Sequence, residues 1–273
     1  MHPPRIAVVG NLARDLVGGA PPRVGGGPYW AARALHLIEV PAVIAARCAE
    51  ADHDVLLPPV LALGVPVRWR PCRATSTFAI SYDGDTRTML VEDVGDPWTP
   101  EDVRGWVDDA IGRAAWLHIP PLFRSDFPAE TLAALAGDGR RILLDGQGLV
   151  RRPQTGELVE DADYDPDVLR HVTVLKLSEN EAAAVLPDLR DETVFALGVP
   201  EVLVTLGSRG SIVFAQGRSE HIPTTPIDTP DPTGAGDGYS VAYIAARAAG
   251  ASPWTAARRA TTAAVALISR AKL

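Results

Sequence analysis

Short apolar runs alternate with longer amphipathic stretches along most of the chain, and this pattern predicts strands alternating with helices. Residues 6–9 form a β-branched apolar run, and residues 29–37 follow with apolar positions at helical spacing. The same alternation predicts strands at 42–46, 116–119, 141–145, 172–177 and 201–206, and helices at 54–63, 129–136, 180–186, 235–249 and 253–270. Repeated strand and helix units predict an α/β fold with a mostly parallel central sheet and helices on both faces.

Two segments depart from this alternation. Residues 211–222 predict a hairpin that turns at 216–217 and gives the sheet an antiparallel edge. Residues 67–94 contain two strand-like runs separated by Asp83-Gly84-Asp85, and residues 12–24 are a second candidate part of the same excursion. We therefore predict a single domain over residues 1–273 with a small β lid that leaves the main sheet and excludes water from a reaction site. The alternative is an edge hairpin without function.

Composition and charge limit the classes of function. The formal net charge of −8 argues against sequence-independent binding of nucleic acid, which needs a basic face. No apolar stretch of about 18 residues lacks a charge or turn former, so we expect neither a membrane span nor a signal peptide, and a cytoplasmic location. Cys48 and Cys72 are far apart and the six histidines are scattered, so neither a disulfide framework nor a zinc cluster is predicted.

Segment 231–238 is the strongest candidate for chemistry. Its small residues precede the apolar helical run 239–249, so their amides are expected at a helix start, where an anion such as phosphate can bind. Asp237 beside such a site suits a general base that takes a proton from an attacking hydroxyl. From these residues alone, an ordinary helix N-terminus with an acidic cap remains the alternative.

Several nucleotide-binding architectures are excluded by motif. The chain has no G-x-x-x-x-G-K-[ST] loop and no V-A-I-K, H-R-D or D-F-G element, so it is neither a P-loop enzyme nor a protein kinase. Segment 10–15 lacks G-x-G-x-x-G, which argues against a nucleotide-dependent oxidoreductase. Since Lys176 and Lys272 are the two lysines, the charge of a transferring phosphoryl group is expected to be met by Mg²⁺, arginines and backbone amides.

Together, these segments resemble the ribokinase-like (PfkB) family of carbohydrate kinases over residues 8–269, which implies the ribokinase-like α/β fold. Segment 231–237 is similar to the family's C-terminal signature, whose last Asp is the catalytic base and whose preceding amides form an anion hole. The resemblance therefore implies catalytic roles for Asp237, Gly234, Ala235 and Gly236.

The resemblance also implies an acceptor site near the N-terminus. Segment 10–15 is similar to the motif after the first strand, so Asp15 is expected to hold substrate hydroxyls. Gly25 and Gly26 match the family's Gly-Gly signature, where backbone approaches the substrate. Trp30 stands where the family usually has Asn, and it either stacks on a substrate ring or fills the core under the lid.

A donor site is implied by two further segments. Segment 204–210 resembles a strand-to-turn element that contacts the nucleotide, which assigns Thr205, Gly207 and Gly210 to it. Segment 175–181 resembles the N-x-x-E region, with Ser178 in place of the usual Asn.

Glu181 of that region is expected to organise Mg²⁺ through water, and the alternative is a surface charge on a helix's first turn. Segment 144–151 resembles a D-x-Q-G-x-x-R run of branches acting on polyols such as inositol and on some nucleosides. Arg151 is then expected to meet phosphate, unless it forms a solvated basic spot with Arg152. His118 is interpreted as a structural residue.

These observations favour an ATP- and Mg²⁺-dependent kinase that phosphorylates a hydroxyl of a small sugar or cyclitol. A nucleoside kinase of the same fold, with Trp30 stacked on the base, is the alternative enzyme. A non-catalytic sugar or nucleotide sensor is the alternative from another class. The family's small-residue tail does not follow the helix 253–270, so a monovalent-cation site is left open, and the lid is a candidate homodimer contact.

Overall fold

The strand segments pair into two separate sheets. The computed structural model describes residues 6–83, 86–226 and 233–270. Its strands are β1 (Ile6–Asn11), β2 (Ala13–Val17), β3 (Arg23–Gly25), β4 (Ala42–Ala49), β5 (Val67–Cys72), β6 (Ser76–Asp83), β7 (Thr86–Asp93), β8 (Trp116–Ile119), β9 (Arg141–Asp145), β10 (Gly156–Glu157), β11 (Val174–Ser178), β12 (Glu201–Thr205), β13 (Ser211–Ala215) and β14 (Arg218–Ile222).

The described part of the chain contains ten α-helical segments, of which eight lie between strands and two follow β14. They are α1 (Gly27–Ile38), α2 (His53–Leu61), α3 (Pro100–Asp102), α4 (Asp108–Ile111), α5 (Ala129–Leu135), α6 (Gln147–Val150), α7 (Glu179–Val185), α8 (Asp191–Phe195), α9 (Ala235–Ala248) and α10 (Pro253–Arg270). A π-helical segment, Val103–Val107, joins α3 to α4. No helix of the described residues is both long and apolar enough to cross a membrane.

The larger sheet has nine strands in the order β14-β13-β12-β11-β9-β8-β1-β4-β5. The seven strands from β12 to β5 pair in parallel, whereas β13 and β14 are antiparallel to their neighbours. The hairpin between β13 and β14 turns at Gln216 and Gly217, which both have positive φ. The predicted parallel sheet with an antiparallel edge is confirmed.

Side chains of the central strands alternate between two cores, one on each face of the large sheet. Along β1, Ile6 and Val8 pack with α1, α2, α9 and α10, whereas Ala7 and Val9 pack with the helices of the opposite face. Strands buried on both faces have continuous apolar sequences instead of alternating ones, which explains the short unbroken runs of the sequence.

The second sheet has five strands in the order β10-β7-β6-β2-β3 and lies outside the large sheet. One of its faces is apolar, and Phe78, Ile80 and Val91 pack there against Leu122 and Phe123. Strands β6 and β7 lie within the predicted excursion 67–94, and β2 and most of β3 lie within segment 12–24. The turn residues 84–85 lie outside the described residues.

The predicted start of the excursion at residue 67 is wrong. Strand β5 pairs in parallel with β4 and forms the edge of the large sheet. Val67 and Trp69 are partly buried against one core, while Arg68 and Arg70 are exposed on the other side. One face of β5 is thus partly buried on a core of the large sheet, and the other face is exposed.

Asp126 holds the loop that follows β8. Its Oδ2 atom accepts hydrogen bonds from the Leu122 amide at 2.8 Å and from Asn11 Nδ2 at 3.5 Å, while its Oδ1 atom is buried and has no partner among the described residues. Burial raises the pKa of this carboxyl from its ordinary 3.8 to about 7, against the opposing effects of two backbone amides and Arg47. The loop that carries Leu122 is therefore anchored by an acid that prefers to be neutral.

Asp126→Asn is expected to increase the free energy of unfolding at pH 8. The folded state binds the Asp126 proton more tightly than the unfolded state, so this group's stabilising contribution is complete below about pH 4 and is lost as the pH rises through about 7. The shift corresponds to an upper bound on the order of 4 kcal/mol. Urea unfolding at several pH values measures the effect, with exposed Asp109→Asn as the control. A gain that does not shrink between pH 7 and pH 4 contradicts the expectation.

Candidate active site

The carboxyl ends of the parallel strands and the N-terminus of α9 meet at one edge of the large sheet. Strands β9, β11 and β12 end there at Asp145, Ser178 and Thr205, and these residues line cavities that also contact α9. This edge is where open α/β sheets bind ligands, because loops and helix N-termini converge on it. The first amides of α9 have no acceptor inside the helix, so they are available to an anion.

Gly234 is the N-cap residue of α9, and its φ of 83° lies in the left-handed region that favours glycine. A Cβ atom at this position would lie 2.3 Å from the Trp30 ring, so the indole packs directly on the glycine backbone. The Arg33 guanidinium also lies over the Trp30 ring, 5.0 Å from its centroid. Trp30 therefore supports the start of α9, and residues 231–232 of the predicted signature lie outside the described residues.

Two cavities flank the first turn of α9. The α9–α10 cavity has a volume of about 360 Å³, and the inter-sheet cavity, between the second sheet and α9, has about 300 Å³. The α9–α10 cavity is lined by Thr205, Gly207, Ser208, Gly210, Thr224, Thr225, Ala235, Gly236, Tyr239, Thr261, Ala264, Val265 and Ile268. The inter-sheet cavity is lined by Ala13, Asp15, Gly26, Gly27, Trp30, Phe78, Met89, Leu122, Asp145, Gln147, Arg151, Lys176, Ser178, Glu181, Thr233, Gly234, Gly236 and Asp237. Gly236 lines both, so the two cavities adjoin at this residue.

Asp237 lies in the first turn of α9 and faces the inter-sheet cavity. The residue is half-buried, but its Oδ1 atom is shielded and accepts no hydrogen bond within the described chain. A Cβ atom at Gly27 would lie 2.9 Å from this oxygen, so the carboxylate packs against the start of α1. Burial, followed by the charge of Asp145, raises the pKa of Asp237 to about 7. Such a carboxyl can accept a proton near neutral pH.

A buried group of charged side chains lies behind Asp237. The Nε2 atom of His118 is 2.7 Å from Asp145 Oδ2, and the Nζ atom of Lys176 is 3.0 Å from Asp145 Oδ1. All three residues are at least 93% buried. Burial alone would raise the pKa of Asp145. The Lys176 ammonium and the His118 hydrogen bond instead hold this pKa well below its usual range.

His118, Asp145 and Asp237 offer potential metal ligands within 4.8 Å of one another. The ammonium of Lys176 already supplies a positive charge to Asp145. Burial opposes the charge of Lys176, but Asp145, Glu181 and Asp237 together raise its pKa above the ordinary value. Since an ammonium occupies the cation position of this group, we do not assign a metal to it.

Asp15 lies on β2 and lines the inter-sheet cavity together with residues of α9. A Cβ atom at Gly25 would lie 2.3 Å from Asp15 Oδ2, so the carboxylate fits against the glycine of the neighbouring strand β3. Gly26 also lines this cavity. Gly25 does not line it, but its lack of a side chain leaves room for the Asp15 carboxylate. Of the four residues predicted to form the acceptor site, Asp15, Gly26 and Trp30 line this cavity and Gly25 packs against Asp15.

Ser178 and Glu181 form a reciprocal cap at the start of α7. The Ser178 amide donates to Glu181 Oε2 at 2.7 Å, and the Glu181 amide donates to Ser178 Oγ at 3.3 Å. Glu181 is 7% exposed and lines the inter-sheet cavity, so it is not a surface charge. Ser178 and Glu181 thus form a capping box at this helix start.

Comparison with known proteins tests the predicted resemblance. The sequence profile described as "pfkB family carbohydrate kinase" matches residues 74–273. The chain belongs to this family. Ribokinase of Bacillus subtilis (strain 168) is 33% identical to it over 84 residues, a match that spans 31% of this chain and 29% of that ribokinase.

Solved structures share the fold of this pfkB-family kinase. A pyrophosphate-dependent kinase in the ribokinase family, complexed with a pyrophosphate analogue and myo-inositol, has a TM-score of 0.82 at 22% identity over 97% of this chain and 95% of that one. Arabidopsis thaliana ribokinase with ribose and ATP has a TM-score of 0.73 at 21% identity, covering 98% and 92% of the two chains. A Burkholderia thailandensis nucleoside kinase with inosine has 0.75 at 20% identity, covering 97% and 90%.

The residues predicted as the nucleotide site of this kinase divide between the two cavities. Thr205, Gly207 and Gly210 line the α9–α10 cavity. Ser178 and Arg151 instead line the inter-sheet cavity with the acceptor-site residues. The Nε atom of Arg151 is 3.2 Å from Glu160 Oε1, so this arginine is held by an ion pair at the cavity wall.

Sequence reasoning missed the buried group of Lys176, Asp145 and His118 as part of the site of this kinase. His118 was interpreted as structural, and Lys176 was counted without a role. One signal was present, since Lys176 and His118 each interrupt an apolar strand run with an ionisable residue. Such residues are rarely buried without a partner, but the sequence does not reveal which strands are neighbours.

Proposed function

We propose that this pfkB-family kinase transfers the γ-phosphoryl group of ATP to a hydroxyl of a small sugar or cyclitol, with Asp237 as the general base. The observation that carries the proposal is the position of Asp237. Its Oδ1 atom is shielded and accepts no hydrogen bond from the described residues. Asp237 directly follows Gly236, the residue at which the two cavities adjoin. A donor in one cavity and an acceptor in the other would react beside this carboxylate.

The α9–α10 cavity suits the nucleotide. Its α10 wall is formed by Ala264, Val265 and Ile268, which offer apolar surface to a base, while Thr205 and Gly207 lie at the strand end. Ala235 and Gly236 belong to the helix start and also line this cavity, so the phosphates would lie on free amides at the positive end of α9. Mg²⁺ bound to those phosphates would neutralise part of their charge, with Glu181 as the carboxylate available to one of its waters.

The inter-sheet cavity suits a small polyol. Asp15 offers carboxylate oxygens that can accept two hydroxyl hydrogens, and Gln147 and Arg151 offer donors on another wall. Its volume of about 300 Å³ lies at the lower end of the range for ligand cavities and is compatible with a single sugar or cyclitol ring. Phe78 and Met89 of the second sheet cover the cavity, so this sheet would act as a lid that excludes water.

Transfer would proceed by in-line displacement. The acceptor hydroxyl gives its proton to Asp237 as its oxygen bonds to the γ-phosphorus, and the bond from that phosphorus to the β,γ-bridging oxygen breaks to release ADP. The amides of Gly236 and Asp237 would stabilise the charge that develops on the phosphoryl oxygens. Asp15 would hold the acceptor so that its reacting hydroxyl faces Asp237.

ATP turnover with separate panels of sugars, cyclitols and nucleosides tests the proposal. We expect ADP formation that is stimulated by a sugar or cyclitol, with the phosphorylated product identified by ³¹P NMR. Preference for a nucleoside would favour the alternative enzyme, although contacts of Trp30 with Arg33 and Gly234 leave less of its ring for a base. Absence of stimulated turnover in every panel would favour a sensor.

Val265→Asp is expected to raise KM for ATP by about tenfold or more, because it puts a charge against the base. The KM of the acceptor should not change, since Val265 lines the other cavity. Steady-state kinetics with each substrate varied measures both values, and Thr262→Asp on the exposed side of α10 is the matched control. Efficient turnover with pyrophosphate that is insensitive to Val265→Asp would contradict the assignment of ATP as donor.

A further inference from the structure

The Lys176 side chain extends from the middle of β11 to the first turn of α9. A Cβ atom at Gly236 would lie 2.9 Å from Lys176 Nζ, so the ammonium packs against the Gly236 backbone. Gly236 lines both cavities, and Lys176 lines the inter-sheet cavity. The ammonium therefore lies where a phosphoryl group would pass from one cavity to the other.

Carboxylates hold this ammonium in place. Asp145 Oδ1 is 3.0 Å from Nζ, and Asp145 is itself bound by His118. An ammonium has three donor hydrogens, and the ion pair with Asp145 accounts for one of them. Asp237 and Glu181 add to its electrostatic environment and favour its charged form. The side chain is thus a fixed positive charge with donor capacity beyond its ion pair.

A phosphoryl group at this position needs a positive charge. Its equatorial oxygens would approach Asp145 and Asp237, and both carboxylates repel it. The amides of α9 contribute partial charges, whereas Lys176 contributes a full charge in a site sheltered from water. An ion pair that served folding alone would not need to contact the residue at which the cavities adjoin.

We propose that Lys176 is a catalytic residue that binds the transferring phosphoryl group, while Asp145 and His118 are positioning residues that hold its ammonium. This inference rests on the proposed function. It also assigns a role to Gly236, because an alanine there would displace the ammonium. The charge of the transferring group is then met by a lysine as well as by amides and Mg²⁺.

Lys176→Met tests the proposal when wild type shows stimulated turnover. We expect kcat to fall by about 10²–10³-fold, the usual effect of removing one donor to a developing oxyanion. Affinity for ADP with aluminium fluoride and the acceptor, a mimic of the transferring group, should fall by a similar factor of about 10² or more. Affinity for ADP alone should stay within about twofold, because the ammonium contacts the transferring group and not the rest of the nucleotide.

Arg104→Met, which removes an exposed charge paired with Glu101, is the control. If Lys176→Met does not fold, Lys176→Met with Asp145→Asn removes both members of the ion pair and is measured in the same way. The proposal is overturned if either variant keeps kcat within about threefold of wild type, or if binding of ADP and of the fluoride complex falls equally. Absence of turnover in wild type would instead reject the proposed function.

Gly236→Ala supplies an independent measurement. In the wild-type background it is expected to lower kcat about tenfold or more, because the new methyl group displaces the ammonium. In the Lys176→Met background it should cause a smaller loss, since the displaced group is absent. Equal losses in the two backgrounds would mean that Gly236 acts without Lys176 and would overturn the proposal.

Discussion

Asp237→Asn is expected to lower kcat by about 10³-fold, within the range of about 10²–10⁴ that general-base catalysis contributes. Asparagine has the shape of the aspartate but cannot take the proton of the acceptor hydroxyl. KM for ATP should change little, because Asp237 lines the inter-sheet cavity and not the α9–α10 cavity. Steady-state kinetics with ATP and the best acceptor measures both constants.

Thermal unfolding of Asp237→Asn provides the control for folding. The carboxyl has a raised pKa of about 7, so its ionised form is disfavoured in the folded state, and the amide should not lower stability above that pH. If the variant folds and keeps kcat within tenfold of wild type, Asp237 is not the general base, and the result would favour an acidic residue that only stabilises the helix start.

The pH profile of kcat/KM is expected to rise about tenfold per pH unit up to pH 7 and to level off above it. Burial and Asp145 raise the pKa of Asp237 to about 7, and the base acts in its deprotonated form, so activity is lost as the pH falls through this value. Between pH 5 and pH 7 the deprotonated fraction rises from about 1% to about one half, so the expected change is about 50-fold. Initial rates at low acceptor concentration report this free-enzyme pKa.

Stability should change in the opposite direction over the same range. The raised pKa of Asp237 means that its contribution to stability is complete below its ordinary value of 3.8 and is lost as the pH rises through about 7. As the pH rises toward 7, the expected activity therefore increases while the contribution of Asp237 to the free energy of unfolding decreases. A profile of kcat/KM that is flat or falls between pH 5 and pH 7, for protein that stays folded, would contradict the assignment.

Local pattern was sufficient for most elements of the fold. Strands β8 and β9 and helix α10 have the predicted bounds, and the hairpin of β13 and β14 turns at the predicted residues. These elements follow from side-chain periodicity and turn chemistry, which act within a few residues. The helical segment between Pro100 and Ile111 was not predicted, although Thr99 forms a capping box at its start.

The assignment of strands to sheets needed the tertiary structure. The pattern of β5 is compatible with either sheet, and its pairing with β4 depends on where α2 returns the chain. Likewise, Arg151 and Ser178, which the family motifs assign to the donor site, line the inter-sheet cavity together with Asp15. The motif identifies such residues, but the side of the site that they face depends on contacts between distant segments.

By itself, the amino-acid sequence determined the alternating elements, the glycine-rich start of α9 and the family to which the chain belongs, because each of these depends on neighbouring residues along the chain. The tertiary structure decided that Lys176, Asp145 and His118 form one buried group beside Asp237 and Gly236. Their strands, β8, β9 and β11, are neighbours in the sheet but far apart in sequence. Charges interact through space, so the pKa of the proposed base depends on an arrangement that no local pattern contains.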